Sequence, residues 1–257
     1  MHILISNDDG YFSEGVKRLR SGLEATKHTV SMIAPRENNS ACGMSITVRA
    51  SLDVEKIDEN GYVVSGTPVD CVGIGLGGLL KEPVDIVISG INNGPNLADD
   101  VLYSGTVAAT AEARRLSLPN IAVSITNEKP KYYDTALQVV LTVLESMEEC
   151  SFDPSIALLN INVPDVPYEA LKGIQVTRLA ERTSPQKPVF NMIEENHWKV
   201  DMGGVGEFLM QGKESDYSYD CEAVEDGYVS VTPIQSKYID VPYLDQLNQL
   251  FAKRESK

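Results

Sequence analysis

Short apolar runs alternate with helical patterns over the first two-thirds of the chain. The apolar runs are rich in Ile and Val and almost continuous in hydrophobicity, which is typical of parallel strands covered on both faces. In the segments between them apolar residues recur at helical spacing, as Val16, Leu19 and Leu23 do in the first. The pattern predicts strands at residues 2–6, 29–34, 84–89, 121–125 and 156–162, and helices near 13–25, 68–80, 104–116 and 134–149.

This alternation indicates right-handed β-α-β units and an α/β fold with one doubly wound, mostly parallel, Rossmann-like sheet. A further strand at 228–233 and a terminal helix near 243–252 are predicted after it. The polar segment from about 181 to 226 alternates only weakly, around 198–202 and 208–210. An insertion of this kind usually forms a lid, a hairpin arm or an oligomer contact. We therefore expect residues 1–257 to form a single domain with an extended arm at about 181–226.

The composition narrows the possible functions. A net charge of −15 argues against binding to long nucleic acids, whose affinity comes mostly from Lys and Arg contacts to phosphates. It leaves room for a small phosphorylated ligand held through a cation. No apolar run approaches the roughly 20 residues that cross a bilayer, and no signal peptide is recognisable at the start. We expect a cytoplasmic protein without membrane association, whose four scattered cysteines form no CxxC zinc motif.

The first candidate for chemistry is the acidic turn Asn7-Asp8-Asp9-Gly10, directly after the first strand. Adjacent carboxylates at the end of a buried strand repel each other and lose solvation unless a cation compensates them. No Lys or Arg precedes Lys17 in this region, so a bound metal ion explains the pair economically. A solvated turn that caps the next helix is the structural alternative.

Two more polar loops follow predicted strands, and the carboxyl ends of strands are where α/β sheets bind ligands. The loop at 35–45 brings Asn39 or Ser40 towards the acidic turn, and the turn at 89–96 presents three asparagines among Gly and Pro. The oxygen ligands on offer suit Mg²⁺ or Mn²⁺ better than zinc or copper. The three histidines have no metal-binding spacing. Either loop could instead be purely structural.

A helix start at Ser104-Gly105-Thr106 is the last candidate. Free backbone N–H groups at a helix N-terminus, flanked by Ser and Thr hydroxyls, form a pocket for an anion such as phosphate. Ordinary capping by Ser104 is the competing interpretation.

Taken in order, these blocks resemble the SurE family of nucleotidases. The resemblance includes Ile3 to Gly10 with Gly15, the run from Ala34 to Ser40, and Gly66-Thr67-Pro68-Val69-Asp70-Cys71. Its most specific part is the block from Val87 to Asn96 followed by Ser104-Gly105-Thr106-Val107, and further matches at 160–164 and 226–233 extend it over almost the whole chain. One departure is Ala41, where many members place a glycine after the serine.

The resemblance implies a metal-dependent phosphatase that acts on nucleoside 5′- and 3′-monophosphates and, in some members, on short polyphosphate. It implies one divalent cation per subunit, Mg²⁺ or Mn²⁺, with ligands at Asp8, Asp9, Ser40 and Asn92. Asn96, Ser104, Gly105 and Thr106 would contact the phosphate. The family also implies a homodimer or homotetramer built through the C-terminal arm, which fits the irregular segment at 181–226.

These expectations lead to a mechanism in which water attacks in line and Asp8 or Asp9 accepts its proton, with Asp9 slightly favoured. A covalent aspartyl-phosphate on Asp8 remains open at this stage. Two other classes compete. A receiver domain would need a phosphoacceptor Asp at the end of its third strand, where this chain has asparagines. A non-catalytic nucleotide-binding module would need a phosphate loop, and Gly73–Gly78 lies in a helical pattern, where helix-packing glycines are the better interpretation.

Overall fold

A computed structural model describes residues 1–149, 152, 156–210 and 216–235 of the 257. The terminal helix expected near 243–252 therefore lies outside the described residues. The strands are β1 (His2–Ser6), β2 (Thr29–Pro35), β3 (Val54–Asp58), β4 (Gly61–Val64), β5 (Ile86–Asn93), β6 (Asn120–Ile125), β7 (Ile156–Val163), β8 (Ile174–Val176), β9 (Glu181–Arg182), β10 (Val189–Glu194), β11 (His197–Asp201), β12 (Phe208–Leu209) and β13 (Val229–Gln235). The helices are α1 (Glu14–Glu24), α2 (Pro68–Ile74), α3 (Gly105–Glu112), α4 (Tyr133–Glu148) and α5 (Asp220–Glu225), with short 3₁₀ turns at Ala98–Leu102 and Tyr168–Ala170.

Nine strands form the central sheet in the order β3-β4-β2-β1-β5-β6-β7-β13-β8. The pairs from β4 to β7 are parallel, whereas β3 runs antiparallel to β4 and β13 antiparallel to β7. From β1 the chain winds outward through β2, and from β5 it winds the other way through β6 and β7. The switch in strand order thus lies between β1 and β5, and the loops after these two strands meet at the place where such sheets bind ligands.

Alternate residues of β1 pack against helices on opposite faces of the sheet. Ile3 and Ile5 join the core under α1 and α4, while Leu4 joins the core under α2 and α3. All three are fully buried, which explains why the centre of the strand, Ile3-Leu4-Ile5, is continuously apolar. The predicted α/β fold with a mostly parallel sheet is therefore confirmed.

The helix boundaries were predicted only approximately. The segment predicted as helical near 68–80 consists of α2, which ends at Ile74, and a single π turn, Gly75–Leu79, within which Gly78 has a non-helical φ of 126°. The prediction that the glycines of this segment pack the helix holds only for Gly75. A Cβ there would lie 2.9 Å from Leu4 and Ile33, whereas Gly73 and Gly77 have nothing within 4 Å. Helix α3 stops at Glu112 instead of reaching residue 116.

Strand β5 extends beyond its predicted end at Ser89 and continues to Asn93. It passes through Gly90, whose φ is 135° and whose peptide bond to Ile91 is cis. A Cβ on Gly90 would lie 2.3 Å from the carbonyl oxygen of Val123 in β6, so only glycine fits at this position. The irregular pairing between Ser89 and Asn92 brings the asparagines to the carboxyl end of the sheet.

The segment at 181–226 contains β9 to β12 and α5. Strands β10 and β11 form a separate two-stranded hairpin, and all their residues are exposed. The short pair β9–β12 and helix α5 connect this hairpin to the rest of the chain, and the pair β9–β12 forms the base of the arm. In the described residues no helix is both long and apolar enough to span a bilayer.

Candidate active site

The acidic turn after β1 is held in place by its own first residue. The side-chain amide of Asn7 donates to the carbonyl of Gly10 at 3.0 Å and to the hydroxyl of Ser13 at 2.8 Å. Gly10 has φ 98°, and a Cβ there would lie 3.2 Å from the backbone of Glu37. These contacts fix the backbone of the turn, so the carboxylates of Asp8 and Asp9 lie at the carboxyl edge of the sheet.

Asp8 lies against the start of α3. Its Oδ1 accepts a hydrogen bond of 2.6 Å from the Thr106 hydroxyl, and the residue is only 4% exposed. Burial raises the pKa of the Asp8 carboxyl, although the Thr106 hydroxyl and the backbone N–H groups of Gly105 and Thr106 oppose the shift. A Cβ on Gly105 would lie 2.8 Å from the Cβ of Asp8 and 3.0 Å from the sulfur of Cys42. The helix start can approach Asp8 this closely because residue 105 is glycine.

Asp9 faces the end of β5. Its Oδ2 accepts the backbone N–H of Asn93 at 3.2 Å. Burial raises the pKa of the Asp9 carboxyl to about 6, the Asn93 N–H lowers it, and the neighbouring charge of Asp8 raises it further. Among the described residues no Lys, Arg or His forms an ion pair with Asp8 or Asp9. The two carboxylates therefore lack a protein cation to balance them.

The loop that carries Ser40 is tied to the acidic turn through its backbone. Asn39 donates its N–H to the Asp8 carbonyl at 2.6 Å, and Gly43 donates to the Tyr103 carbonyl at 3.0 Å. Ser40 itself is exposed, and in the part of the chain that the structure describes its hydroxyl contacts neither carboxylate. Ala41 has φ 60°, a left-handed conformation that favours glycine.

Asn92 presents an oxygen to the site. Its side-chain nitrogen donates to the Gly94 carbonyl at 2.9 Å, and the residue is 8% exposed. Because the nitrogen is engaged, the side-chain oxygen is the atom available to a cation. The structure thus gathers Asp8, Asp9 and Asn92 at the switch point and holds the backbone of the Ser40 loop beside them.

The residues predicted to contact phosphate have structural partners. Asn96 is 7% exposed, and its side-chain amide donates to the Ser124 hydroxyl at 2.7 Å. Ser104 is the N-cap of α3 and accepts the Val107 N–H at 3.1 Å, so the capping alternative describes its side chain. Thr106 donates to Asp8. The anion that the helix start faces here is the Asp8 carboxylate, and a role of these residues in phosphate binding stays a prediction.

Two residues at the site were not assigned a role from the sequence. Asn93 binds Asp9 through its backbone, and its side-chain oxygen accepts the Tyr133 hydroxyl at 2.6 Å. Asn93 belongs to the asparagine turn and could have been suspected. Tyr133 stands 40 positions further on, at the start of α4, and no local pattern links it to the site.

A polar pocket of about 430 Å³ opens beside the Ser40 loop. Its lining residues include Arg36, Glu37, Asn38, Asn39, Ser65 and Thr67. Asn39 also donates its backbone N–H to the Asp8 carbonyl, so the pocket adjoins the acidic turn.

Comparison with known proteins gives consistent matches. The family model described as survival protein SurE matches residues 3–186. A relative named 5′-nucleotidase SurE from Actinobacillus pleuropneumoniae serotype 5b is 41% identical over 244 residues, which cover 92% of this chain and 94% of the relative. A second with that name, from Coxiella burnetii strain Dugway 5J108-111, is 39% identical and covers 97% of this chain and 93% of its own. The crystal structure of the SurE protein from Aquifex aeolicus superposes with a TM-score of 0.84 at 34% identity, covering 97% of this chain and 99% of that one.

Proposed function

Because the chain belongs to the survival protein SurE family, we propose that it is a metal-dependent phosphomonoesterase. Its substrates are nucleoside 5′- and 3′-monophosphates, with short polyphosphate as a further class, and its products are nucleoside and inorganic phosphate. The observation that carries this proposal is the pair Asp8–Asp9, which has no protein cation among the described residues: Asp8 is buried against the N-terminus of α3, and Asp9 is partly buried beside the end of β5. Two carboxylates and a helix start together offer one site for a cation and one for an anion.

One divalent cation, Mg²⁺ or Mn²⁺, fits the residues present. Asp8, Asp9, Ser40 and Asn92 would hold it, and all four offer oxygen, the ligand that these hard cations prefer. Among the described residues no group of three or more His, Cys, Asp or Glu could hold a metal, and in this proposal the neutral oxygens of Ser40 and Asn92 complete the site. The side-chain oxygen of Asn92 is oriented for that purpose by the bond from its nitrogen to Gly94. When bound, the cation supplies charge to the phosphoryl oxygens and lowers the pKa of a water molecule.

The helix start holds the other side of the substrate. Gly105 and Thr106 present backbone N–H groups towards Asp8, and the second amide hydrogen of Asn96 is not committed to Ser124. In the proposed complex these donors bind the phosphoryl oxygens. In the free protein the Gly105 and Thr106 N–H groups bind the Asp8 carboxylate, so a phosphoryl oxygen would share these donors with Asp8 or replace it.

Asp9 is the better placed base for the attacking water. One oxygen of Asp8 is committed to the Thr106 hydroxyl and the residue is 4% exposed. Asp9 is more exposed and accepts only the backbone N–H of Asn93. We therefore assign proton acceptance to Asp9 and direct attack by water, and place Asp8 as a ligand instead of a nucleophile.

The polar pocket beside Asn38 and Asn39 is the proposed location of the nucleoside. Its hydroxyl and amide groups suit a ribose and the edges of a base. We further propose that the protein works in the cytoplasm as a homodimer or homotetramer assembled through the arm, which the exposed hairpin β10–β11 supports.

Phosphate release from a panel of nucleoside monophosphates tests this proposal. The panel includes p-nitrophenyl phosphate, which lacks a nucleoside, and each reaction is run with Mn²⁺, with Mg²⁺ and with EDTA. We expect release that requires metal, and Asp9→Ala should lower kcat by about 10³-fold or more while the fold survives, because a ligand and the base are both lost. Asp134→Ala, on an exposed helix end, is the control. Wild-type turnover in EDTA, or in Asp9→Ala, would exclude the metal-dependent site.

A further inference from the structure

The stretch from residue 97 to 103, called the connector here, joins two groups of the proposed phosphate site. It runs from Asn96 to Ser104 and contains the 3₁₀ turn Ala98–Leu102. The conformation of the connector therefore sets the distance between Asn96 and the start of α3. It also touches the metal side, because Tyr103 accepts the backbone N–H of Gly43 in the Ser40 loop at 3.0 Å.

The connector is held from the base of the arm by Arg182. The guanidinium binds both carboxylate oxygens of Asp100, with Nε to Oδ1 at 2.8 Å and Nη2 to Oδ2 at 2.6 Å. The backbone N–H of Arg182 binds the Asp99 carboxylate at 2.8 Å. One residue therefore fixes two successive carboxylates of the connector, through a planar fork that matches carboxylate geometry.

Arg182 is itself firmly held. Its Nη1 donates to the Gly206 carbonyl at 2.7 Å, and the guanidinium lies 4.3 Å above the ring of Phe208. The side chain is only 17% exposed. A partly desolvated, bidentate and stacked pair is stronger and geometrically more specific than an ordinary surface ion pair.

A second anchor acts on the same stretch. Asp220, fully buried at the start of α5, accepts the N–H of Ala98 at 2.8 Å and of Ala180 at 3.0 Å. Ala98 has φ 53°, a conformation that a non-glycine residue keeps only when its surroundings enforce it. The residues that determine the path of the connector thus come from the arm base and α5, more than 75 positions away in sequence from the site they support.

We propose that Arg182 is a positioning residue for phosphate binding, acting through Asp99 and Asp100 on the connector. The inference rests on the proposed function. Arg182 touches neither the carboxylates of the acidic turn nor the start of α3, and its effect passes through the connector to Ser104 and Thr106. Without the bidentate Arg182–Asp100 ion pair, the start of α3 should shift relative to Asn96. A misplacement of about 1 Å is enough to lower a rate by about 10²-fold.

The test uses Arg182→Gln and Asp100→Asn, which break the pair from either side. Arg20→Gln is the matched control, because Arg20 forms a similar fork with Asp58 and its side chain is 18% exposed. We expect kcat/KM for a nucleoside monophosphate to fall by about 10- to 100-fold in both connector variants. The inhibition constant of inorganic phosphate should rise in parallel, while Arg20→Gln keeps wild-type values. Mn²⁺ affinity of the metal-free protein, measured by calorimetry, should change less than phosphate affinity does.

A merely stabilising role gives a different result. If Arg182→Gln lowers the melting temperature as Arg20→Gln does but leaves phosphate inhibition and KM at wild-type values, the inference is wrong. Should Arg182→Gln fail to fold, Asp100→Asn decides, since it keeps the shape of the side chain while it removes the charge and replaces one of the two acceptor oxygens by an N–H donor. If the wild type hydrolyses no nucleotide, the proposed function fails separately, and calorimetry with inorganic phosphate and Mn²⁺ still compares the variants.

Discussion

At the scale of single residues, the site depends on a close approach that only glycine allows. A Cβ on Gly105 would lie 2.8 Å from the Cβ of Asp8 and 2.9 Å from its Oδ2. Real Cβ contacts of this length do not occur, so the carboxylate or the helix start must move. The backbone angle of residue 105 is not the constraint, because Gly105 starts a regular helix.

We therefore expect Gly105→Ala to fold and to lose function. Displacement of Asp8 should weaken Mn²⁺ binding and lower kcat/KM by about 10²-fold or more. Calorimetry and phosphate release measure the two effects. The control is Gly73→Ala in α2, where nothing lies within 4 Å of the added Cβ; it should keep full activity and gain about 0.5–1 kcal/mol of stability. Wild-type Mn²⁺ affinity in Gly105→Ala would show that the close approach of residue 105 to Asp8 does not control metal binding.

Single residues also mark how far the sequence alone could lead. The pair Asp8–Asp9 was predictable because two charges after a buried strand need compensation. The left-handed conformation of Ala41 was not predictable from the residue itself, because alanine rarely adopts it. The Tyr133–Asn93 contact was not predictable, because it joins residues 40 positions apart and follows from how α4 packs on the sheet.

At the scale of elements, the sequence predicted β1, β2, β5, β6 and β7, but not the β3–β4 hairpin. Strand β3 is exposed at all five positions, so no burial pattern distinguishes it from a loop. Its hairpin is held to α1 by a fork from Arg20 to both oxygens of Asp58, at 2.7 and 2.8 Å. The Tyr11 hydroxyl also donates to Asp58, at 3.2 Å. A tertiary ion pair thus fixes a hairpin whose own sequence specifies little.

The Arg20–Asp58 ion pair makes the free energy of unfolding decrease at acidic pH. The hydrogen bonds from Arg20 lower the pKa of Asp58 to about 2, against about 3.9 for an unfolded Asp. The stabilisation is therefore fully present above about pH 4 and is lost as the pH falls through about 2. Asp58 is 41% exposed, so solvent screening limits the contribution to about 0.5–1 kcal/mol.

We expect Arg20→Gln to unfold more easily than the wild type at pH 7, by that amount, and the difference to shrink as the pH approaches 2. Urea unfolding of both proteins in EDTA from pH 7 downward measures it, because the other carboxylates cancel in the comparison. A difference that stays constant over this range would mean that packing of the Arg20 stem, and not the ion pair, stabilises the hairpin.

At the scale of the whole molecule, the position of the site follows from the order of the strands in the sheet. The sequence pattern predicted that order only in part. Alternating strands and helices predicted a doubly wound sheet, and the switch between β1 and β5 gathers the acidic turn and the asparagine turn. The arm could not be predicted in detail, because strands β10 and β11 are exposed at every position and no pattern of buried residues marks them. Its exposed apolar residues instead indicate a surface meant for another molecule.

The hairpin β10–β11 is the surface on which we expect copies of this chain to assemble. A lone two-stranded hairpin is marginally stable in water, and six large apolar residues of this hairpin are 40–68% exposed: Val189, Phe190, Met192, Ile193, Trp198 and Val200. Burial of such residues against a second copy stabilises both hairpins.

Phe190→Asp combined with Met192→Asp places two charges on one face of β10, because residues two apart on a strand point the same way. We expect light scattering after gel filtration to show a smaller species than the wild type, since burying unpaired carboxylates is unfavourable. Asp8, Asp9, Asn92 and Thr106 come from one chain, so kcat for p-nitrophenyl phosphate should persist. Leu76→Asp, an exposed apolar site far from the arm in sequence, is the control. Unchanged mass in the double variant would move the assembly surface elsewhere on the molecule.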